Sequence, residues 1–273
     1  MWFAGAASWT PVNRAGFTCS SCKDASTSLR EEDIAGILPE PLGMVVATVS
    51  HRSLELSMPS TAEAIRPLSV ALKEGSAAEH DAAEQSPFVA ELLAGRVGAR
   101  GYTDYLLRLR VIYSALEDAV RAHRDDPLVA AVYDPALERT AALDADLAYW
   151  APEGAGGPDS PAANAYRDRI AAAGWGGALV AHHYTRYLGD LSGGQAIGRI
   201  LDREFGLVGA GLAFYDFPLR VKPYKDGYRD RLDGLGLGAA DVDRVVDEVK
   251  VAFGLNQAVF DELSENLPSY RIG

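Results

Sequence analysis

The sequence predicts an all-α, single-domain bundle of about seven or eight helices. Three observations carry this. Apolar residues recur at helical spacing from Thr61 onward, runs of β-branched residues are few, and short breaks rich in Pro and Gly separate the periodic stretches. With 273 residues, 48% of them hydrophobic, the chain can bury one proper core with some length to spare.

The elements follow in order. Residues 1–57 mix Gly, Ser, Thr and Pro with short apolar scraps and keep no period. We expect them to be a disordered extension or an over-long start, with the domain occupying residues 58–273. Ser60, followed three residues later by Glu63, fits a capping box that opens the first helix. Its apolar stripe is Ile65, Leu68 and Leu72. A second stripe runs through Tyr105, Leu109, Ile112, Tyr113 and Leu116, and a third through Val245, Val249, Phe253 and Phe260. Breaks are expected at Ser86-Pro87, at Asp125-Asp126-Pro127, and over residues 152–161, 206–211, 218–223 and 234–238.

Composition excludes several functions. The net charge of -12 argues against general nucleic-acid binding, which needs basic patches to displace counterions. No apolar run reaches the length of a membrane span, the start lacks the pattern of a secretory signal, and no hydrophobic tail precedes Gly273. A cytoplasmic protein is expected. Cys19 and Cys22 are the only cysteines, so nothing beyond residue 22 acts through a thiol.

Three constellations carry chemistry. The first is the stretch from His182 to Ile197, with periodic sequence on both sides and glycines at 189, 193 and 194. Each glycine inside a helix costs about 1 kcal/mol relative to alanine, so three of them need a return. Gly189 and Gly193 are four apart and are expected on one face, where bare backbone admits something flat and rigid and lets the helix bend. A loop between two helices is the alternative. The second constellation is Lys73, His80 and Glu84, expected on one face of the first helix. An imidazole there can ligate a metal through one nitrogen and donate its other N–H to a carboxylate. The third is Lys225 with Arg229, a cationic edge suited to a dianion, or else a solvated face.

Together these features resemble the haem oxygenase family. The string from Tyr184 to Gln195 is similar to that family's signature, and co-linear likenesses run from about Leu68 to about Leu267. They include Ile112 to Glu117, Asp146 to Trp150, Gly211 to Tyr215, and Phe253 to Asn256.

The resemblance implies a bundle that sandwiches haem between a proximal helix and a kinked distal one. It implies His80 as iron ligand with Glu84 behind it. Gly189, Gly193 and Gly194 would press backbone onto the haem, and Asp190 would organise water with Tyr113, Tyr166, Arg186 and Asn256. Lys73, Tyr184, Lys225 and Arg229 would hold the propionates, and Phe253 and Phe260 would pack the pocket. The implied reaction consumes O₂ and electrons from an external donor, a ferredoxin with its reductase or a flavoprotein, and yields biliverdin, CO and ferrous iron by α-meso cleavage. A monomer is expected. A non-catalytic haem carrier or sensor is the alternative.

Two positions depart from the family pattern. Ala77 stands where some members carry a lysine, and His183 where many carry a small residue.

Overall fold

In the computed structural model, residues 66–272 are described. The expected boundary near residue 58, the Ser60–Glu63 capping box and the Cys19–Cys22 pair lie outside the described residues. Among the described residues there are twelve α-helical segments and no strand, only an isolated bridge between Val97 and Arg271.

The helices are α1 (Leu68–Gly75), α2 (Ala77–Glu84), α3 (Pro87–Leu93), α4 (Ala99–Ala122), α5 (Pro127–Val132) and α6 (Thr140–Trp150). There follow α7 (Pro161–Ala171), α8 (Gly176–His183), α9 (Gln195–Phe205), α10 (Val221–Asp233), α11 (Ala239–Glu265) and α12 (Leu267–Tyr270). The count exceeds the expectation because α3, α5 and α12 are too short to display a period.

Most predicted breaks have a local cause. Asp126 caps α5 by accepting from the Leu128 N–H at 2.8 Å, and Ser160 caps α7 by accepting from the Ala163 N–H at 3.1 Å. Pro87, Pro127 and Pro161 each sit in the first turn, where no N–H is needed. Pro223 does the same inside α10, which begins at Val221, so the break there is shorter than the span 218–223.

The expected first helix is two helices. It parts at Ser76, whose hydroxyl donates to the Leu72 carbonyl at 2.7 Å, a back-bond of the kind that bends helices. Lys73 therefore ends α1 while His80 sits on α2, and the two do not share one helix face.

The long helices α4 and α11 form the frame. Helix α4 buries Tyr102, Tyr105, Leu106, Leu109, Ile112, Tyr113 and Leu116 along one side, and α6 and α7 pack on it. Helix α11 packs against α8, α7, α2, α3 and α1. Each such large apolar side chain contributes about 1.5–3 kcal/mol when fully buried.

Gly211 shows how tightly the turn before Phe214 is built. Its φ is +69°, and its carbonyl accepts from Trp150 Nε1 at 2.8 Å. A Cβ there would lie 2.4 Å from the Tyr149 ring. Gly211→Ala is expected to cost about 2 kcal/mol, from left-handed strain plus displacement of a half-exposed ring. A lower midpoint in thermal melts checks it.

Candidate functional site

Helix α8 does not end in a loop. It runs on through π-helical turns at Tyr184–Leu188 and Asp190–Gly194 into α9, so residues 176–205 are continuously helical. In a π turn each N–H reaches back five residues. Gly189 and Gly194 both line one cavity. Gly193 is buried in the same segment, and it is Gly194 that stands with Gly189 on the cavity wall.

The cavity opens between α2 and the glycine-lined helix. Its walls are largely apolar: Ala83, Val89, Leu92, Ile197, Phe214, Phe253 and Phe260. Helix α2 contributes His80 and Glu84 to the same cavity. His80 Nε2 lies 3.4 Å from Glu84 and Nδ1 lies 3.5 Å from Asp81. The ring stands edge-on to Phe253 at 5.7 Å. Ligand atoms of His80, Asp81 and Glu84 fall within 4.8 Å of one another. Each ring nitrogen thus faces a carboxylate, and Glu84 is the one that shares the cavity wall with His80.

A buried polar group faces the cavity from the other chain segments. Tyr113 donates its O–H to Asp190 in a short hydrogen bond. Arg186 Nε donates to the Tyr113 oxygen at 3.2 Å, its terminal nitrogen donates to Asn256 Oδ1 at 2.6 Å, and it stands 3.8 Å from Asp190. Asp190, Arg186 and Asn256 all line the cavity.

Burial pushes the Asp190 carboxyl up to about 6, against the Arg186 charge and the Tyr113 hydrogen bond, which pull it down. Burial works against the Arg186 charge, and Tyr113 and Asp190 more than reverse this, holding it above the usual arginine range. The arrangement is a carboxyl poised near neutral pH beside a fixed positive charge, which suits proton transfer.

A family model for heme oxygenase matches residues 66–262. The chain belongs to the haem oxygenase family. It is 40% identical to heme oxygenase 1 of Pongo abelii over 214 residues, 73% of each chain. It is 38% identical to heme oxygenase 2 of Synechocystis over 209 residues, 71% of this chain and 82% of that one. Among solved structures, it resembles heme oxygenase-1 from Synechocystis in complex with heme. There the TM-score is 0.71 at 36% identity, over 75% of this chain and 95% of that one. Heme oxygenase from Leptospira interrogans gives a TM-score of 0.69 at 32% identity, over 72% of this chain and all of that one.

Degradation of haem to biliverdin is the family function, and this chain is a haem-degrading enzyme. No described helix is long and apolar enough to cross a membrane.

The haem oxygenase cavity gathers most of the residues singled out in the sequence. His80, Glu84, Arg186, Gly189, Asp190, Gly194, Phe253, Asn256 and Phe260 line it. Tyr113 stands directly behind Asp190. Tyr166 on α7 is fully buried, near enough to feel the Arg186 and Asp190 charges, and its hydroxyl makes no hydrogen bond among the described residues.

The cationic residues lie apart from the cavity wall. Tyr184 packs in an apolar cluster with Leu72, Leu188, Tyr228 and Phe253. Lys225 donates to Ser192 Oγ at 3.0 Å, and Arg229 to Asp226 at 3.1 Å. Burial and the nearby Arg229 lower the Lys225 pKa. Lys73 is exposed at the end of α1, which packs on α10.

Sequence reasoning missed Tyr105, Thr185 and Tyr215 on the wall. Tyr105 and Tyr215 read as core aromatics, and both are buried. A Cβ on Gly194 would come within 3.3 Å of the Tyr215 ring, so that glycine also serves close packing.

A junction behind the site was also missed. Glu248 of α11 accepts from Arg169 Nε at 2.8 Å and from His182 Nε2 at 3.0 Å, joining α7, α8 and α11. Burial raises the Glu248 carboxyl, and the hydrogen bonds from His182 and Arg169 outweigh it, holding it at about 2. A depressed carboxylate stabilises the fold above its unfolded value, and that contribution fades as pH falls toward 2. Glu248→Gln is expected to cost about 2 kcal/mol at pH 7, since Arg169 is half exposed and its share is screened. Denaturant melts from pH 7 to pH 2 check it: the difference from the parent chain should shrink as the solution becomes acid.

Proposed function

We propose that this chain cleaves haem at the α-meso carbon with His80 as the iron ligand and Asp190 as the proton-handling group. The observation that carries this reading is one cavity lined by His80, by the bare backbone at Gly189 and Gly194, and by the Asp190–Arg186–Asn256 group. The residues fit haem: apolar walls for a flat ring, an imidazole backed by a carboxylate, and the cations Lys73, Lys225 and Arg229 near α10 for two propionates. Haem when bound supplies the iron that takes electrons and O₂, and is itself the ring that is cut.

The chain's residues do the rest. Glu84 holds the imidazole of His80 in one orientation. Gly189 and Gly194 let the helix backbone approach where any side chain would stand in the way. Asp190, with a pKa near 6, takes and returns a proton at its cavity-facing oxygens. Tyr113 donates to it, and Arg186 fixes both while Asn256 anchors the guanidinium. Tyr166 adds a buried hydroxyl beside them. Gly193 supports the winding of the π turn rather than the wall. Tyr184, Lys225, Arg229 and Lys73 set how the ring is turned in its plane.

The protein works as a cytoplasmic monomer, and its electrons come from a ferredoxin with its reductase or from a flavoprotein. Incubation with haem, ascorbate and air tests the reading by absorbance. The haem band should decay as biliverdin absorption grows, with the α isomer dominant. A stable red complex would instead indicate a carrier or sensor.

A further inference from the structure

Helix α10 carries Lys225 and Arg229, yet among the described residues only two polar contacts join it to the helix that lines the cavity. One is Lys225 to Ser192, made by a long side chain at a partly open site. The other is buried. His183 Nδ1 and the Tyr228 hydroxyl lie 2.8 Å apart, with the two rings 5.7 Å apart and within 7° of parallel. His183 is 2% exposed and Tyr228 is fully buried.

These contacts differ in stiffness. Lysine loses much rotamer freedom to make its bond, whereas two rings held in a packed core do not wander. A buried hydroxyl left unpaired is costly, so the pair resists sliding. Tyr228 is three residues after Lys225 and one before Arg229. A slip of α10 by one residue would carry both cations about 1.5 Å along its axis.

We infer that the His183–Tyr228 hydrogen bond sets the register of α10 against the glycine-lined helix, making His183 a positioning residue that decides which ring carbon is opened. This rests on the reading of Lys225 and Arg229 as the groups that grip the haem propionates. Burial drops the His183 imidazole to about 3, so the ring stays neutral and the tie persists across the working range.

The test uses the full chain with His183→Ala, Tyr228→Phe, the double variant, and His183→Asn, whose amide oxygen can occupy the place of Nδ1. Three quantities are read: the biliverdin isomer ratio, the haem-methyl proton resonances of the ferric complex without turnover, and hydrogen exchange of residues 221–233 in the haem-free protein. The two single variants should each raise the minor-to-major isomer ratio about tenfold and add a second set of methyl resonances. They should also speed exchange in residues 221–233 while α4 stays protected.

The double variant should match the single ones, because all remove the same bond. His183→Asn should return the parent pattern. The parent isomer ratio and a single methyl set in both single variants would overturn the inference, even with faster exchange. Should His183→Ala not fold, the near-isosteric Tyr228→Phe decides alone. A parent chain that makes no biliverdin would instead overturn the reading of the site.

Discussion

Asp190→Asn is expected to bind haem as the parent does and to lose ring opening by about 10²–10³-fold, the size seen when a preorganised proton-handling group is removed. The substitution keeps the shape of the side chain and one acceptor for Tyr113, so haem affinity should hold. What it removes is the ionisable oxygen, whose carboxyl burial pushes up to about 6.

The pH dependence follows with a definite sign. In the parent, activity should change through a group titrating near 6, and the asparagine variant should lack that inflection. Stability should move as well. The folded chain holds a proton on Asp190 that the unfolded chain has already released between about pH 4 and 6. This carboxyl's contribution therefore falls as pH rises through that window. The variant should show a flatter dependence there in denaturant melts. Parent-level biliverdin formation by the variant would remove Asp190 from the chemistry.

His80→Ala is expected to weaken haem binding by at least about a hundredfold, a larger effect than loss of an outer-shell partner alone. It should also remove the absorption pattern of an imidazole-ligated ferric haem. Added imidazole should restore that pattern and part of the turnover, because the cavity remains and only the tethered ligand is gone. The His80 ring packs against Phe253 at 5.7 Å, so some loss of apolar contact accompanies the change. An unchanged haem spectrum in the variant would show that another group binds the iron. Asp81→Asn is the natural control, since Asp81 is also near the imidazole but is exposed to solvent.

The frame of this fold was legible from periodicity because α4 and α11 are long enough to repeat a 3.6-residue stripe many times. Helices of one or two turns were not, since α3, α5 and α12 each offer too few apolar positions to define a face. The break at Ser76 was invisible for a different reason. It arises from a side chain bonding its own backbone, which no apolar pattern reports.

The site was legible mainly through its departures from ordinary helix composition. Three interior glycines marked the segment that borders the cavity, and the spacing of His80 and Glu84 marked an imidazole with a carboxylate beside it on the same wall. Gly193 and Gly194 are both buried in that segment, and spacing alone does not report which of them lines the cavity. Tyr105 and Tyr215 were missed because an aromatic on an apolar stripe reads the same whether it fills a core or lines a cavity. The Glu248–His182 pair was missed because its members are 66 positions apart and meet only in the folded chain.

The most direct test of the central claim is paramagnetic NMR on the cyanide-bound ferric haem complex, with glycine and histidine isotopically labelled. If one haem lies between α2 and the glycine-lined helix, the His80 ring and the Gly189 and Gly194 amides should all be strongly shifted or broadened by one equivalent. Gly254 and Gly227 should be far less affected. Perturbation of His80 with Gly189 and Gly194 untouched, or the reverse, would contradict the account.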